Sequence, residues 1–421
     1  MTNSVQTTRL ESGLRIVTHH IPYVETAALG IWVDTGARWE NVTENGLSHL
    51  LEHMAFKGTT TRSARQIAEE IEAVGGILNA YTSRENTAYY AHVLRDNVPL
   101  AINLLADILQ NSVFDPSELQ REREVILQEI GEAHDTPDDL IYDMMQETAF
   151  PDQAVGRPIL GTKSRVLAFE QRDLFAFMNK HYTPPRMVVA AAGAVEHEHI
   201  TARVAQVFNN LTPYSEQNQD PMRYEGGEFL LERDLEQVHL TLSLPGVGYD
   251  DPDYYATQVL NTLAGGGMSS RLFQEIREKR GLVYSVYTFA NSYTDGGLFG
   301  VYAGTSRDHM DDLTDVLTDE LNGLTQNITD AELNRAIAQL KAGLLMAMES
   351  ISVRCEQLAR HILIFGRPVD KAEMITRIES VTADSVANVA SRILQSGRPT
   401  VAALGPVAQL ECIKRLQTRL V

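Results

Sequence analysis

The chain has 421 residues, of which 43% are hydrophobic and 22% are charged, a composition typical of a globular protein large enough for two domains. Its 36 Lys and Arg against 56 Asp and Glu give a net charge of −20, which argues against nucleic acid or an anionic membrane as a partner. No apolar run reaches the roughly 18 residues that cross a bilayer.

The opening stretch MTNSVQTTRLESGLRIV has the pattern of neither a secretory signal nor a transit peptide, so we expect a protein that stays in the cytoplasm. The two cysteines, Cys355 and Cys412, form no C-x-x-C pair. We predict that both are reduced, structural residues.

The first predicted elements are strands at about 7–20 and 26–34. A helix from Gly46 to Phe56 follows, with Asn45 as its predicted cap and Gly58 just beyond its end. The stretch SARQIAEEIEAVGG predicts a second helix, because Ser63 and Gln66 have capping-box spacing.

The next predicted elements are a hairpin and a long helix. ILNAYTS and TAYYAHVL alternate as paired strands around the turn at Arg84, Glu85 and Asn86. Asp115-Pro116-Ser117 then begins the helix SELQREREVILQEIGEAH. At mid-chain, LTPYSEQNQDPMRYEGGE (211–228) is polar, carries two prolines and interrupts the apolar pattern, so we interpret it as a linker.

The two halves of the chain look like diverged copies of one α+β unit. A strand, a Gly-containing turn and an apolar helix start at Glu25 and again at Glu236, and GGILNAYT (75–82) aligns with GLVYSVYT (281–288). In the second copy Leu260 and Ala264 stand where the first has His49 and His53. We predict domains at 1–214 and 229–421 joined by a linker at 215–228.

The segment SHLLEHMAFKGT carries two histidines four residues apart, His49 and His53, on a predicted helix. Residues at this spacing lie one above the other, so both rings can direct a nitrogen at one ion. Glu52 lies beside them in a position that suits a base for a metal-bound water. H-x-x-E-H is the reverse of H-E-x-x-H and is a zinc peptidase signature; the alternative is a chance pair on an amphipathic helix.

A third ligand must come from another element, because two histidines and one carboxylate make the catalytic zinc pattern. In the helix after Pro116, the predicted buried stripe consists of Leu119, Ile126, Ile130 and Ala133. Glu122 and Glu129 lie on the flank of this stripe, whereas Glu124 and Glu132 point further toward solvent. Either of the first two could ligate while the other orients a histidine N–H, or both could be partly exposed surface acids.

HLLEH followed by a glutamate 76 residues later resembles the inverzincin peptidases, which include pitrilysin, insulin-degrading enzyme and the mitochondrial processing peptidase. HLLEHMAFKGT and VILQEI are especially similar to the beta subunit of the processing peptidase. This resemblance implies that His49, His53 and Glu129 bind one Zn²⁺ and that Glu52 is the general base. It also implies that Glu122 contacts the metal ligands without binding the metal itself.

The resemblance also implies where substrate binds. GGILNAYTSRENTAYY is similar to an edge strand that accepts a peptide by strand addition, with Asn79 and Ala80 beside the scissile bond and Phe56 nearby. SSRLFQEIREKRGLVYSV contains the Arg and Tyr that family members have seven residues apart, here Arg277 and Tyr284. In the family this pair would stabilise the oxyanion that forms on the peptide carbonyl during hydrolysis. Without the resemblance, this pair would be interpreted as a surface Arg and a core Tyr.

The expected fold is α+β, with two homologous domains that each pack an antiparallel-rich sheet against helices and together form half of a clamshell. The expected activity is that of a zinc metalloendopeptidase, which cleaves unfolded peptides in a closed chamber. In short heterodimeric members of this family, the zinc residues and the Arg/Tyr pair can be divided between two different subunits. Because this chain has both, we expect a homodimer in which each chain serves the zinc site of its partner, with a heterodimer as the alternative. The AGGGMSS loop is much shorter than the Gly-rich loop of the processing peptidase alpha subunit, and the opening stretch does not have the pattern of a transit peptide. Both differences favour a bacterial, cytoplasmic member of the family.

Two rival functions remain at this point. Respiratory core proteins resemble this fold but lack zinc residues, so a non-catalytic assembly subunit is one alternative, against which the intact His49, Glu52, His53 and Glu129 argue. A metal-storage or chaperone function is the other alternative, which would explain the metal ligands but not Glu52, Arg277 and Tyr284. The remaining histidines at His19-His20 and in EHEH (196–199) are expected to be solvated, and no phosphate loop or nucleotide fingerprint occurs.

Overall fold

The structure, a computed structural model, describes residues 5–214 and 219–420. Residues 215–218 of the predicted linker lie outside the described residues, and 219–226 have no regular secondary structure.

Six strands and eight helices form the first half of the chain as described. They are β1 (Val5–Arg9), β2 (Arg15–His20), β3 (Thr26–Val33), α1 (Leu47–Ala55), α2 (Ala64–Glu72), β4 (Ile77–Thr82), β5 (Thr87–Leu94), α3 (Val98–Gln110), α4 (Pro116–Asp135), α5 (Pro137–Ala149), α6 (Lys163–Ala168), α7 (Gln171–His181), β6 (Met187–Gly193) and α8 (His197–Val207).

The described second half has five strands and seven α-helices, with a π-helical turn at Phe273–Glu278. They are β7 (Gly227–Glu232), β8 (Val238–Gly246), α9 (Tyr254–Gly265), β9 (Val283–Ser292), β10 (Gly297–Thr305), α10 (Met310–Gly323), α11 (Asp330–Ala347), α12 (Ile351–Phe365), α13 (Lys371–Glu379), α14 (Ala383–Leu394), β11 (Thr400–Gly405) and α15 (Glu411–Arg419).

The chain divides into two compact units, and neither is one continuous segment. Unit 1 consists of Met1–Glu132, Arg157–Gln219 and Met346–Val369, and unit 2 of Ala133–Gly156, Asp220–Leu345 and Asp370–Val421. The predicted domains are continuous, whereas each unit includes a helix from the other half of the sequence: α12 in unit 1 and α5 in unit 2. The physical reason is that each sheet has two apolar faces to cover.

Unit 1 contains a six-stranded sheet in the order β1-β2-β6-β3-β5-β4. Only β2 and β6 pair in parallel; the other neighbours are antiparallel. One face packs with α1, α3 and α4 through residues such as Leu50, Leu105 and Ile126. The opposite face is covered by α12, where Cys355 and Ala359 pack against Trp32 and Ala190.

Unit 2 repeats this plan with a five-stranded sheet in the order β7-β11-β8-β10-β9. Its one parallel pair is β7 with β11. One face packs with α9, α10 and α14, and the other with α5, whose Ile141 and Met145 lie against Leu298 and Leu404. Both described units therefore have the predicted α+β form, with an antiparallel-rich sheet packed against helices.

Several local predictions are confirmed and two are wrong. The capping box of Ser63 and Gln66 is present, and the hairpin pairs Ile77–Thr82 with Thr87–Leu94. The single strand predicted at 7–20 is instead the β1-β2 hairpin, because Gly13 adopts a φ of +94° and turns the chain. The cap of α1 is Gly46, not Asn45.

Both cysteines are free and buried, as predicted. Burial raises the pKa of the Cys355 thiol, which keeps it protonated and unreactive. Within the described residues, no single helix is long and apolar enough to cross a membrane. One pair, α11 and α12, reaches the required length and composition only when the two helices are counted together across a bend.

Candidate active site

The predicted metal-binding helix is α1 in unit 1. Its buried side consists of Leu47, Ser48, Leu50, Leu51, Met54 and Ala55. His49 and His53 lie on the flank of this stripe, with Glu52 between them, and all three are half-buried. The apolar stripe therefore fixes the helix backbone while the polar side chains stay accessible at the edge of the core.

A buried carboxylate binds the beginning of α1. The N-cap residue Gly46 has no side chain to accept a hydrogen bond, and Glu40, which is 2% exposed, takes that role. Its Oε2 accepts the Gly46 N–H at 2.8 Å and its Oε1 accepts the Ser48 N–H at 2.7 Å. Asn45, the wrongly predicted cap, donates instead to Glu40 Oε2 and to the Pro158 carbonyl. These bonds satisfy free N–H groups at the positive end of the helix.

The cap region is also closely packed. Gly46 has a φ of +95°, and a Cβ at this position would lie 2.8 Å from the carbonyl oxygen of Leu160. A Cβ on Gly161 would lie 2.5 Å from the carbonyl oxygen of Asn45. The segment around Gly161 therefore leaves no room for a side chain beside the start of α1.

Glu129 from α4 faces both histidines of α1. Its Oε2 lies 3.7 Å from Nε2 of His49 and 3.7 Å from Nε2 of His53. One ligand atom of each residue lies within 4.8 Å of the others. Ligand atoms about 2.1 Å from a tetrahedral zinc ion are separated by about 3.4 Å, so the three atoms have close to the required spacing.

The chemistry of this donor set fits zinc. Two imidazole nitrogens and one carboxylate are the protein ligands of many catalytic zinc sites and leave one position for water. Burial, and then the neighbouring His53, lower the pKa of His49 to about 3. The His49 ring is therefore neutral at pH 7 and offers a lone pair to a metal.

Glu122 lies on the other side of His53. Its Oε2 is 3.0 Å from His53 Nδ1, and its Oε1 is 2.7 Å from Lys57 Nζ. The Glu122 side chain is buried, and the Lys57 amine offsets its charge. The structure thus brings Glu129 to the Nε2 atoms and Glu122 to the Nδ1 atom, a distinction that helical spacing alone leaves open.

Glu52 is held from the hairpin that follows α2. The Thr82 hydroxyl donates to Glu52 Oε2 at 2.5 Å. Burial raises the pKa of Glu52, and the Thr82 hydrogen bond opposes this rise. Glu52 is therefore a partly desolvated carboxylate beside the candidate metal ligands, as a general base requires.

The strand β4 is the outermost strand of its sheet, paired with β5. Ala80 packs toward the α1 side of the sheet and Tyr81 toward the α12 side. Asn79 is exposed, and its Oδ1 accepts the Ala80 N–H at 2.8 Å. Phe56, directly after α1, packs on the same core as Ala80. The substrate-binding roles of Asn79, Ala80 and Phe56 stay predictions.

Unit 2 holds the other predicted residues. Arg277 lies in the π-helical turn, a form often found at functional sites. Its guanidinium carbon lies 5.6 Å from the ring centroid of Tyr284, so the two side chains are neighbours. Tyr284 is 75% exposed and is therefore not a core residue. Leu260 and Ala264, which align with the two histidines, are buried in α9.

The remaining histidines take part in local contacts. His20 Nδ1 lies 2.8 Å from the Val195 carbonyl oxygen, and the ring of His197 bonds Thr8 and Thr18. His197 is the first residue of α8 and is half-buried, so it is less solvated than predicted. His199 is exposed, as predicted.

Sequence reasoning missed three residues that support the site: Glu40, Lys57 and Thr82. Thr82 and Lys57 lie within segments quoted above, but their partners Glu52 and Glu122 lie on other elements. Sequence spacing therefore gives no indication of these contacts. Glu40 is the one that could have been found, because a helix that starts at Gly46 needs an acceptor for its first N–H groups.

Two family models match the chain. Residues 15–163 match the insulinase family, peptidase family M16, and residues 168–340 match the peptidase M16 inactive domain. The first match contains the His pair and Glu129, and the second contains Leu260, Ala264 and Arg277.

Similar proteins include an uncharacterized zinc protease from Rickettsia felis, which is 40% identical over 96% of this chain and 98% of its own length. A probable mitochondrial-processing peptidase subunit beta from Arabidopsis thaliana is 38% identical over 98% of this chain and 80% of its own length.

Two solved structures have the same fold. One is a peptidase M16 inactive domain from Pseudomonas fluorescens, with a TM-score of 0.88 and 21% identity over 96% of this chain and 98% of that one. The other is a protease from Helicobacter pylori, with a TM-score of 0.88 and 20% identity over 96% and 99%. With near-complete coverage at 40% identity and both family models in order, this chain belongs to peptidase family M16, the insulinase family, whose members among its relatives are named zinc proteases.

Proposed function

We propose that this protein is a zinc-dependent endopeptidase that hydrolyses unfolded peptides or presequence-like segments, with one Zn²⁺ per chain bound by His49, His53 and Glu129. The observation that carries the proposal is the convergence of these three ligand atoms within 4.8 Å of one another, beside the carboxylate of Glu52.

The residues of the chain divide the chemistry between them. A bound Zn²⁺ supplies Lewis acidity, which polarises the peptide carbonyl and makes water more acidic. Glu52 takes the proton of the attacking water and later delivers it to the leaving amine nitrogen. Glu122 accepts the Nδ1 proton of His53 and so keeps Nε2 available for the metal.

The substrate that fits this site is an extended peptide. As the outermost strand of its sheet, β4 offers backbone groups to an added strand, and such pairing makes little demand on side-chain sequence. The family resemblance supports a closed chamber around the reaction. We also propose that the reaction occurs in the cytoplasm.

Arg277 and Tyr284 are proposed to contact the peptide carbonyl and stabilise the developing oxyanion. Their proximity to each other and the exposure of Tyr284 support a shared role. We further propose a homodimer in which each chain offers this pair to the zinc site of its partner.

Digestion of a peptide mixture by the purified protein alone tests the proposal. We expect endoproteolytic cleavage that stops with a chelator and returns with zinc, and about one zinc per chain. Glu52→Gln should keep the zinc and lose cleavage, whereas Glu124→Gln, an exposed acid on α4, should behave like the parent. Zinc binding without cleavage in the parent would instead support a non-catalytic assembly subunit.

A further inference from the structure

The general base and the substrate-accepting strand share a hydrogen bond. Thr82 is the last residue of β4, and its Oγ1 lies 2.5 Å from Oε2 of Glu52 on α1. This is a charge-assisted O–H···O⁻ contact at the short end of its usual range. Both side chains are half-buried, so water competes less for the bond than at an open surface.

The bond restricts how the Glu52 carboxylate can turn. With Oε2 bound to the hydroxyl, Oε1 is the oxygen left to meet a water molecule. Threonine suits this role, because its branched Cβ restricts χ1 and its hydroxyl therefore has few directions to choose from. A base that is already oriented avoids the cost of ordering a flexible Glu side chain during the reaction.

The position of the hairpin does not depend on this bond. Its turn is held by backbone bonds from Ala37 N–H to the Ser83 carbonyl at 3.1 Å and from Arg38 N–H to the Arg84 carbonyl at 2.8 Å. On the neighbouring strand, the Thr87 hydroxyl donates to the Thr35 carbonyl oxygen at 2.8 Å. Removal of the Thr82 hydroxyl should therefore leave β4 in place and release only Glu52.

We propose that Thr82 is a positioning residue for the hydrolysis, holding one oxygen of Glu52 so that the other faces the attacking water. Because Ala80 and Thr82 are alternate residues of one strand, their side chains lie on the same face of the sheet. The strand that accepts the peptide thereby also sets the orientation of the base. This inference rests on the proposed function, in which Glu52 is the base.

Two substitutions at Thr82 separate positioning from structure. Thr82→Val keeps the shape and loses the donor, and we expect kcat to fall about 10- to 100-fold with KM and zinc affinity within about twofold of the parent. Thr82→Ser keeps the donor and should return kcat to within about threefold of the parent. Thr87→Val removes a hydroxyl bond of the same hairpin that does not involve Glu52, while the backbone bonds of Ala37 and Arg38 still hold the turn. It should lower the stability of the protein but leave kcat within about threefold of the parent.

The outcomes distinguish this inference from the proposed function. If the parent enzyme cleaves peptides and Thr82→Val turns over at the parent rate, the positioning role is overturned. A fall in zinc affinity, or a rise in KM with kcat unchanged, overturns it as well, because either would mark a structural role. If the parent itself fails to cleave, the proposed function fails first. Should Thr82→Val not fold, the kcat of Thr82→Ser relative to Thr82→Ala gives the same decision.

Discussion

Nδ1 of His53 lies 3.0 Å from Oε2 of Glu122, whereas Nδ1 of His49 is buried without a hydrogen-bond partner among the described residues. The two histidines are therefore held in different ways. No hydrogen bond to Nδ1 orients the His49 ring, while a carboxylate fixes both the orientation and the tautomer of the His53 ring. Lys57, 2.7 Å from the other oxygen of Glu122, holds that carboxylate in place.

Glu122→Gln should weaken zinc binding. The amide keeps the size of the side chain but is a poorer acceptor for the His53 N–H, and loss of such supporting contacts usually lowers metal affinity about 10- to 100-fold. Competition with a chromogenic chelator measures the affinity directly, without reference to turnover.

Glu124→Gln on the same helix is the matched control, because its side chain points to solvent. Equal zinc affinities for Glu122→Gln and the parent would mean that the contact with His53 does not tune the metal. Lys57→Met should shift the affinity in the same direction as Glu122→Gln, since it leaves the buried carboxylate without its cation.

The buried cap of α1 predicts a pH-dependent stability. Burial raises the pKa of Glu40 from its ordinary 4.5 to about 7, while the donated hydrogen bonds oppose the rise. Between these values the folded protein keeps a proton that the unfolded chain releases. The contribution of Glu40 to stability is therefore full below pH 4.5 and is lost as the pH rises to about 7, a change of up to ~3 kcal/mol.

Urea unfolding of the parent and of Glu40→Gln at pH 5 and at pH 7.5 isolates this effect. The amide does not titrate, so the free energy of unfolding of the parent should fall relative to Glu40→Gln by ~1–3 kcal/mol between the two pH values. Other groups that titrate in this range are common to both proteins and cancel in the difference. A difference that does not change with pH would place the pKa of Glu40 in its ordinary range.

Much of unit 1 follows from local sequence. The capping box at Ser63 and the period-2 alternation in ILNAYTS and TAYYAHVL predict α2 and the hairpin within a few residues of where they lie. The His pair predicts its own geometry too, because four residues of helix fix the spacing of two rings. These features depend on residues that are close together in the chain, so they can be predicted from the local sequence pattern.

Other features depend on distant neighbours. Helical spacing places both Glu122 and Glu129 near the core, and only the packing of α4 against α1 decides which one faces Nε2. The exchange of α5 and α12 between the units is equally invisible in sequence, because an apolar helix does not specify which sheet it covers. The separate β1-β2 hairpin was missed since its turn rests on a single glycine, Gly13.

A proline in the edge strand should interfere with substrate binding. In the structure the Ala80 N–H donates to Asn79 Oδ1, and an added peptide strand would take the place of that acceptor. Ala80→Pro removes this N–H, and an edge position is where a sheet tolerates proline. We expect KM for an unfolded peptide to rise about tenfold or more while zinc content stays at the parent level, since one lost backbone bond to substrate is worth a kcal/mol or more.

Ala80→Gly is the control for this experiment, because it changes the side chain and keeps the N–H. Its KM should stay within about threefold of the parent, the effect of a small change in strand rigidity. A parent-like KM in Ala80→Pro would show that peptides do not pair with β4 at this residue.

Mixing two inactive variants tests whether each active site uses two chains. Glu52→Gln removes the base but keeps Arg277, and Arg277→Ala removes the cation but keeps the zinc residues and Glu52. If each zinc site takes its Arg and Tyr from the partner, a mixed dimer has one site with both defects and one site with neither. Mixing the two variants under conditions that allow subunit exchange should then restore up to about half of the parent activity per mixed dimer.

The same mixture gives a different result if the groups act within one chain. Each site of the mixed dimer would then carry one defect, and the activity would stay at the level of the separate variants. Glu52→Gln mixed with the double variant Glu52→Gln/Arg277→Ala serves as the control, because no pairing of these chains contains an intact base. Recovery of activity in the first mixture and not in the second requires that Glu52 of one chain work with Arg277 of another. A protein that stays monomeric and active would rule this arrangement out, since no partner would be there to offer the pair.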